Sequence, residues 1–195
     1  MADLLLASAS PRRKELLDQI GVHYIARSMD IDESVLAGES AHDYVKRLAL
    51  EKAEAGLVFS EGRPVLAADT SVVVDGQILG KPQSQKEAEE MLSALSGRTH
   101  QVITGVAIVQ QQEAHLLKDS AAIETQVHFL SLNKQQITDY VATQEPMDKA
   151  GSYGIQGKAA VFVEKIEGSY SNVVGLPLEQ VGKMLHRFNV PIWRA

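Results

Sequence analysis

The segment LLLASASPRRKELLDQIG, residues 4–21, predicts a strand, a short turn and a helix in immediate succession. Its apolar run LLLA is short enough to form a buried strand. Ser10 suits the N-cap of the helix, Pro11 its first residue and Gly21 its end. Because a buried strand that leads directly into a helix is typical of α/β proteins, this segment predicts that fold class.

Two arginines, Arg12 and Arg13, fall in the first turn of this helix, where free N–H groups and the dipole already disfavour cations. A bound phosphate would reverse that cost, since it accepts from the N–H groups, a guanidinium and the hydroxyls of Ser8 and Ser10. The alternative is that both arginines face solvent or pair with acidic residues at 30–33. The turn lacks the glycines and lysine of a P-loop, which argues against a Walker-type site.

The rest of the chain alternates between strand-like and helix-like patterns. Runs of apolar and β-branched residues predict strands within residues 22–26, 63–74, 99–109, 121–132 and 159–170. A hairpin turn is predicted at Asp75-Gly76. Helix starts are predicted at Ser40, Asn133 and Pro177, and at Ser84, which would form a capping box with Glu87. The pattern favours a single domain over residues 1–195, with a central mixed sheet flanked by helices.

Composition excludes several classes of function. The chain has 195 residues, 45% of them hydrophobic, a formal net charge of −6 and no cysteine. Disulfides, thiolate metal sites and a cysteine nucleophile are therefore excluded. The negative charge argues against binding to nucleic acid. With neither a signal-peptide pattern nor a long apolar run, we expect a cytoplasmic protein without membrane contact.

Four charged residues outside the arginine turn are candidates for chemistry. Lys52 lies at the edge of a predicted apolar helix face and could snorkel to solvent or meet phosphate. Asp69, near the end of an apolar strand, could cap a turn, bind metal or act as a base. Lys81 in GKP could return to the same side of the sheet or be an exposed turn residue. Glu33, in the acidic loop of residues 28–39, could add a carboxylate or simply be solvated.

A glycine-rich segment, EPMDKAGSYGIQG, would let backbone approach a ligand closely, although an ordinary turn would look the same. Gln156 in this segment offers an amide suited to the edge of a nucleobase. The six histidines show no metal-ligand spacing, and no serine lies in a nucleophile-elbow motif.

Together these segments resemble the Maf family of nucleoside triphosphate pyrophosphatases. The similar pieces, in family order, are LASASPRRKELL, LALEKA, LAADTSVV, GKP, SGRTHQVITGV, DKAGSYGIQG and GSYSNVVGLPL. The resemblance implies an inosine triphosphatase-like α/β fold with a cleft between two lobes. It also implies a homodimer and hydrolysis of a nucleoside triphosphate to monophosphate and pyrophosphate with a divalent cation, Mg²⁺ or Mn²⁺.

Charge, together with the resemblance, predicts roles for individual residues. Arg12, Arg13, Lys52 and Lys81 would clamp the triphosphate, since its negative charge must be neutralised during attack by water. Asp69 would be the base that activates water, with Lys52 and Lys81 completing the catalytic set. Glu33 would hold the metal together with Asp69, which could act as metal ligand, base or both.

The subgroup follows from three positions, Arg12, Thr70 and Gln156, which match the relatives that cleave dTTP and UTP. A threonine hydroxyl and a glutamine amide can complement the edge of thymine or uracil. We therefore expect a house-cleaning hydrolase for dTTP and UTP, with modified pyrimidine nucleotides as further candidates and a secondary role in cell-division arrest. The alternatives are a nucleotide-binding division regulator without catalysis and a 7-methyl-GTP pyrophosphatase.

Overall fold

The computed structural model describes residues 2–113 and 115–194. The strands in this part of the chain are β1 (Leu4–Leu6), β2 (Tyr24–Ala26), β3 (Val65–Val74), β4 (Gln77–Leu79), β5 (Thr99–Gln112), β6 (His115–Phe129) and β7 (Val163–Glu167). The helices are α1 (Pro11–Gln19), α2 (Ala41–Gly56), α3 (Gln85–Leu95), α4 (Lys134–Ala142), α5 (Tyr170–Val174) and α6 (Leu178–Arg187). Four short 3₁₀ helices lie at Leu57–Phe59, Glu145–Asp148, Ala150–Ser152 and Lys158–Phe162.

The strands form one mixed sheet, which confirms the predicted fold class. Its order is β2-β1-β3-β5-β6-β7, and β4 pairs with β3. β1 is parallel to both β2 and β3, whereas β3–β4 and β6–β7 are antiparallel. Parallel neighbours need a crossover, and α1 and α2 supply the two that the first three strands require.

The chain divides into two compact units. The first comprises the described parts of Met1–Asp69, Thr104–Ile123 and Gly175–Ala195. Its core includes Leu5, Ala49, Ala53, Val65 and Ala107, so α2 packs on β1, β3 and β5 through small residues. At the closest approach, Gly105 lies so near the Val45 carbonyl that a Cβ there would be 2.1 Å from its oxygen.

The second unit comprises Thr70–Ile103 and Glu124–Val174. Aromatic rings dominate part of its core, where Phe129 contacts His100, Tyr153 and Phe162 edge to face. His100 Nε2 also lies 2.7 Å from the Tyr153 hydroxyl. Burial lowers the pKa of His100 to about 4, with a smaller contribution from His128, so its imidazole is neutral at physiological pH.

Most predicted helix starts are confirmed, with two differences in capping. Ser40 and Asn133 cap α2 and α4 through their side chains, as expected. Ser10 occupies the N-cap position of α1, but its side chain makes no capping hydrogen bond. At α3, Ser84 accepts from the Glu87 N–H, whereas the Glu87 carboxylate accepts from the Gln83 N–H, so the predicted reciprocal capping box is incomplete.

Two other elements differ from expectation. Residues 158–162 form a 3₁₀ helix, so β7 begins only at Val163. The helix α5 was not predicted, because its five residues are too few to show a helical period. No helix in residues 2–113 and 115–194 combines the length and apolar character needed to cross a membrane.

Candidate active site

The strand β3 is buried along its length except at Asp69 and Thr70, which are half-buried. Asp69 lies in the middle of this ten-residue strand, so the expectation that it stands near a strand end is wrong. The neighbouring strand is the reason: β1 ends at Leu6, near the Leu6–Leu66 pair, whereas β3 continues past that point without β1 beside it. The Asp69 carboxylate therefore emerges where the adjacent strand has turned away towards α1.

Lys52 joins two carboxylates that are far apart in sequence. Its Nζ lies 2.7 Å from Asp69 Oδ1 and 2.6 Å from Glu33 Oε1. The side chains of Lys52 and Asp69 are only 11% and 14% exposed, whereas that of Glu33 is 51% exposed. A buried lysine needs such partners, since desolvation of an unpaired ammonium is costly. The snorkelling alternative for Lys52 is therefore wrong.

Arg13 lies beside this cluster and is itself half-buried. Its Nε donates to the Gly175 carbonyl over 2.9 Å, and its Nη1 donates to Ser8 Oγ over 3.2 Å. Burial lowers the pKa of Arg13; the Asp69 carboxylate acts against that shift, and the Arg12 guanidinium adds to it. The first turn of α1 thus places the Arg13 guanidinium within electrostatic range of Asp69 and Glu33, which offsets part of the cationic crowding at the helix start.

The acidic loop, residues 28–39, contains no helix or strand, yet α2 holds it at several points. The Tyr44 hydroxyl donates to the Glu33 carbonyl over 2.8 Å. Arg47 donates to the Ser34 carbonyl over 2.9 Å and to both Glu39 carboxylate oxygens over 2.6 and 2.8 Å. Glu39 in turn accepts from the Leu36 N–H over 3.1 Å.

Electrostatics tie Tyr44 to the same cluster. Burial raises the pKa of Tyr44 to about 12, and the Asp69 and Glu33 carboxylates add to the shift. The phenol therefore stays protonated and able to donate to the loop. In the loop, the hydrogen bond from Arg47 is the main cause that lowers the pKa of Glu39.

Three predicted site residues, Thr70, Lys81 and Gln156, belong to the second unit. Lys81 and Gln156 are exposed. Their segments are connected by a hydrogen bond of 3.0 Å from the Gly151 N–H to the Gly80 carbonyl. Gln156 lies in a turn, and Lys81 lies in the irregular segment between β4 and α3.

The backbone that follows the turn at Gln156 is held by the Glu145 carboxylate. The Glu145 carboxylate accepts from the N–H groups of Lys158 and Ala159 and from the Tyr140 hydroxyl. A Cβ on Gly157 would lie 2.2 Å from Glu145 Oε1, so a larger residue there would displace the Glu145 carboxylate from this contact. Glu145 thus fixes the backbone directly after Gln156.

The pair of carboxylates fits a divalent cation. Glu33 and Asp69 direct oxygens at one cationic nitrogen, and hard divalent ions prefer such oxygen ligands. Among the described residues, no group of three or more His, Cys, Asp or Glu side chains is placed to enclose a metal. Any ion here would therefore use phosphate or water oxygens for its other positions, as Mg²⁺ commonly does beside nucleotides.

The geometry brings together Ser8, Arg13, Glu33, Lys52 and Asp69 within the first unit. Ser10 belongs to the same turn, since its N–H donates to Ser8 Oγ over 3.2 Å. Sequence reasoning missed the residues that hold the acidic loop, Tyr44 and Arg47. Their spacing of three residues indicates a shared helix face, but nothing in the sequence shows that a loop packs there.

The chain is similar to known proteins over nearly its full length. Residues 3–188 match the family described as "Maf-like protein". A relative from Symbiobacterium thermophilum, named dTTP/UTP pyrophosphatase, is 51% identical over 193 residues, covering 99% of this chain and 97% of its own. One of the same name from Shewanella denitrificans is 54% identical over 189 residues, covering 93% of each chain. The solved structure of the Staphylococcus aureus Ham1 protein matches with a TM-score of 0.51 and 14% identity, covering 94% of this chain and 98% of that one, which shows a shared fold.

Proposed function

Because the chain belongs to the Maf family, we propose that it hydrolyses dTTP and UTP to the monophosphate and pyrophosphate. Relatives about 50% identical over almost the whole chain carry the name dTTP/UTP pyrophosphatase. The observation that carries the proposal is the convergence of Lys52, Glu33 and Asp69, with Arg13 in electrostatic contact. Cations for a polyphosphate and a carboxylate for proton transfer are the two components that this hydrolysis requires.

In this proposal, the first unit supplies most of the charged groups. Arg12, Arg13 and Lys52 bind phosphate oxygens, helped by the Ser8 and Ser10 hydroxyls at the start of α1. Because this turn already holds the Arg13 fork in a fixed direction, substrate binding requires little reordering of that side chain.

Asp69 is the proposed base, which takes a proton from the attacking water at a carboxylate oxygen. Lys52 orients Asp69 through the 2.7 Å contact and keeps it from turning away from the site. Glu33 and Asp69 would hold Mg²⁺ or Mn²⁺. A bound divalent ion would polarise the phosphate under attack.

Specificity and assembly belong to the proposal too. Thr70 and Gln156 would form hydrogen bonds with the pyrimidine edge. With Arg12, they are the three positions that match the relatives that cleave dTTP and UTP. Lys81 would complete the phosphate clamp. We also infer a single functional domain over residues 1–195 with a cleft, a homodimer, a cytoplasmic location, and no nucleic-acid or membrane partner. Modified pyrimidine nucleotides and a secondary role in cell-division arrest complete the proposed function.

A panel of nucleotides tests this function. Purified protein is incubated with dTTP, UTP, CTP, ATP, GTP and 7-methyl-GTP in Mg²⁺ or Mn²⁺, and released pyrophosphate is measured. Preferential release from dTTP and UTP is expected. A preference for 7-methyl-GTP would overturn the assigned subgroup, and no pyrophosphate from any nucleotide would overturn the enzymatic function.

A further inference from the structure

We propose that Tyr44 and Arg47 are positioning residues that fasten the acidic loop to α2 and thereby keep the Glu33 carboxylate beside Asp69. The step from Glu33 placement to metal binding rests on the proposed function. The step from Tyr44 and Arg47 to the loop rests on hydrogen bonds in the structure alone.

Apolar packing does little to hold the part of the acidic loop around Glu33. No helix or strand includes the loop, although Met29 near its start packs against the core of the first unit. Close to Glu33, Val35 and Leu36 are 51% and 55% exposed, so burial of apolar surface contributes little to the conformation there. The loop must be held by polar contacts or be free to move.

The contact between Glu33 and Lys52 is too weak to fix the loop by itself. The Glu33 side chain is 51% exposed. Ion pairs at such exposure contribute about 0–1 kcal/mol, because water screens the charges and two long side chains lose freedom. With that contact alone, the Glu33 carboxylate would spend much of its time away from Lys52.

The hydrogen bonds from α2 supply what the ion pair lacks. Tyr44 donates to the carbonyl of Glu33 itself, and Arg47 donates to the carbonyl of the next residue, Ser34. Arg47 also grips both oxygens of Glu39 at the far end of the loop. A bidentate guanidinium contact is stronger and more directional than a single neutral hydrogen bond. With the backbone at Glu33 and Ser34 held by these hydrogen bonds, the Glu33 carboxylate can move only by rotation about its side-chain bonds.

Lys52 belongs to the same helix, which completes the argument. One rigid element, α2, fixes the Glu33 backbone through Tyr44 and the Glu33 carboxylate through Lys52. Glu33 belongs to a loop, but α2 holds it in place, and Asp69 belongs to β3. The separation between the two carboxylates is therefore set by a helix and a strand. Such preorganisation lowers the cost of gathering two like charges around a divalent ion.

The test uses the full chain freed of metal, with Mn²⁺ as the probe. Mn²⁺ affinity is measured by the electron paramagnetic resonance signal of the free ion, and loop protection by hydrogen–deuterium exchange. Tyr44→Phe removes one hydroxyl and should weaken Mn²⁺ binding roughly threefold to tenfold, the value of one lost hydrogen bond. Arg47→Lys keeps the charge, loses the fork, and should do the same. In both variants, amides of residues 32–39 should exchange faster.

The matched control is Glu51→Gln. Glu51 contacts Arg47 from the next turn of α2, over 3.3 Å, but does not touch the loop. This variant should keep wild-type Mn²⁺ affinity and loop exchange. If it weakens both as much as Arg47→Lys does, disturbance of α2 explains the effects and the proposal fails.

A double-mutant cycle separates positioning from general stability. In a Glu33→Gln background, Tyr44→Phe should have no further effect on Mn²⁺ binding, because the carboxylate that it positions is gone. A loss that persists there would overturn the proposal, as would wild-type affinity and exchange in both Tyr44→Phe and Arg47→Lys. If the wild type binds no Mn²⁺, the metal site of the proposed function fails, while loop exchange still decides whether Tyr44 and Arg47 hold the loop.

Discussion

Replacing Asp69 by asparagine separates proton transfer from phosphate binding, because the surroundings of this residue compensate for the change. Asparagine has the same shape as aspartate but carries no charge and is not basic. Lys52 loses the partner at 2.7 Å and keeps Glu33 at 2.6 Å, so its ammonium is not left unpaired. We therefore expect Asp69→Asn to fold, with a loss in the free energy of unfolding below the ~3–5 kcal/mol that a buried charge left wholly unpaired would cost.

Asp69→Asn should lower the rate of hydrolysis but raise the affinity for the triphosphate. General-base catalysis contributes about 10²–10⁴-fold to rate, so kcat for dTTP should fall by that factor. Without a divalent ion, removing a negative charge from a site that already holds Arg13 should strengthen binding of the triphosphate. In a water-like dielectric at several Å, one charge is worth about 0.5–1 kcal/mol, or roughly twofold to fivefold in affinity.

The assay combines pyrophosphate release in Mg²⁺, calorimetric titration of dTTP with divalent ions chelated, so that neither turnover nor metal binding by Asp69 contributes, and thermal unfolding. Asp75→Asn is the matched control, since this aspartate follows the same strand and pairs with Arg98 at an exposed turn. The control should have wild-type activity and affinity. Activity of Asp69→Asn within threefold of the wild type, or dTTP binding weakened more than tenfold, would refute the role of Asp69 as a base in a preformed cationic site.

Three further changes test other parts of the structure. Arg13→Lys loses the fork that reaches Ser8 Oγ and should raise KM for dTTP about tenfold in steady-state kinetics; an unchanged KM contradicts its role as phosphate ligand. Gly105→Ala places a Cβ 2.1 Å from the Val45 carbonyl oxygen and should cost about 3 kcal/mol or more in urea denaturation, against little change for Gly182→Ala, which has open space. For His100, burial lowers the pKa to about 4, so the unfolded state binds the proton first as pH falls below about 6.5. The free energy of unfolding should drop by up to about 3 kcal/mol from this residue between pH 7 and 4, and His100→Gln should lessen the pH dependence; equal slopes in both proteins would argue against a neutral buried imidazole.

Local chemistry explains why most of the fold was predictable. Ser40 and Asn133 both cap their helices through the side chain, and both precede a helix whose apolar positions are buried. Such signals act over a few residues and can be read directly from sequence. The 3₁₀ helix at 158–162 could not be read in this way, because it depends on the Glu145 carboxylate, thirteen residues before Lys158, accepting from its first N–H groups.

The candidate site shows the same division between local and distant causes. Lys52 and Asp69 could be singled out because each places a charge within an apolar pattern, and the structure pairs them. Glu33 could not be distinguished from its acidic neighbours by residue type, since Asp30, Asp32 and Glu39 have the same chemistry. Its place depends on the path of a loop, and that path depends on Tyr44 and Arg47, which look like ordinary polar residues of a helix.

Charge balance explains why the acidic and basic groups of this site occur together. Lys52 with Glu33 and Asp69 carries one excess negative charge, and Arg13 cancels it, so these four side chains together are close to neutral in a protein of net charge −6. Arg12 then adds positive charge at the start of α1. A triphosphate brings about four negative charges, more than these cations offset, and a divalent ion on the two carboxylates would supply the difference. The carboxylates thus stabilise the cations while the site is empty and would hold the extra cation when the substrate arrives, which is why removal of either carboxylate should impair turnover more than folding.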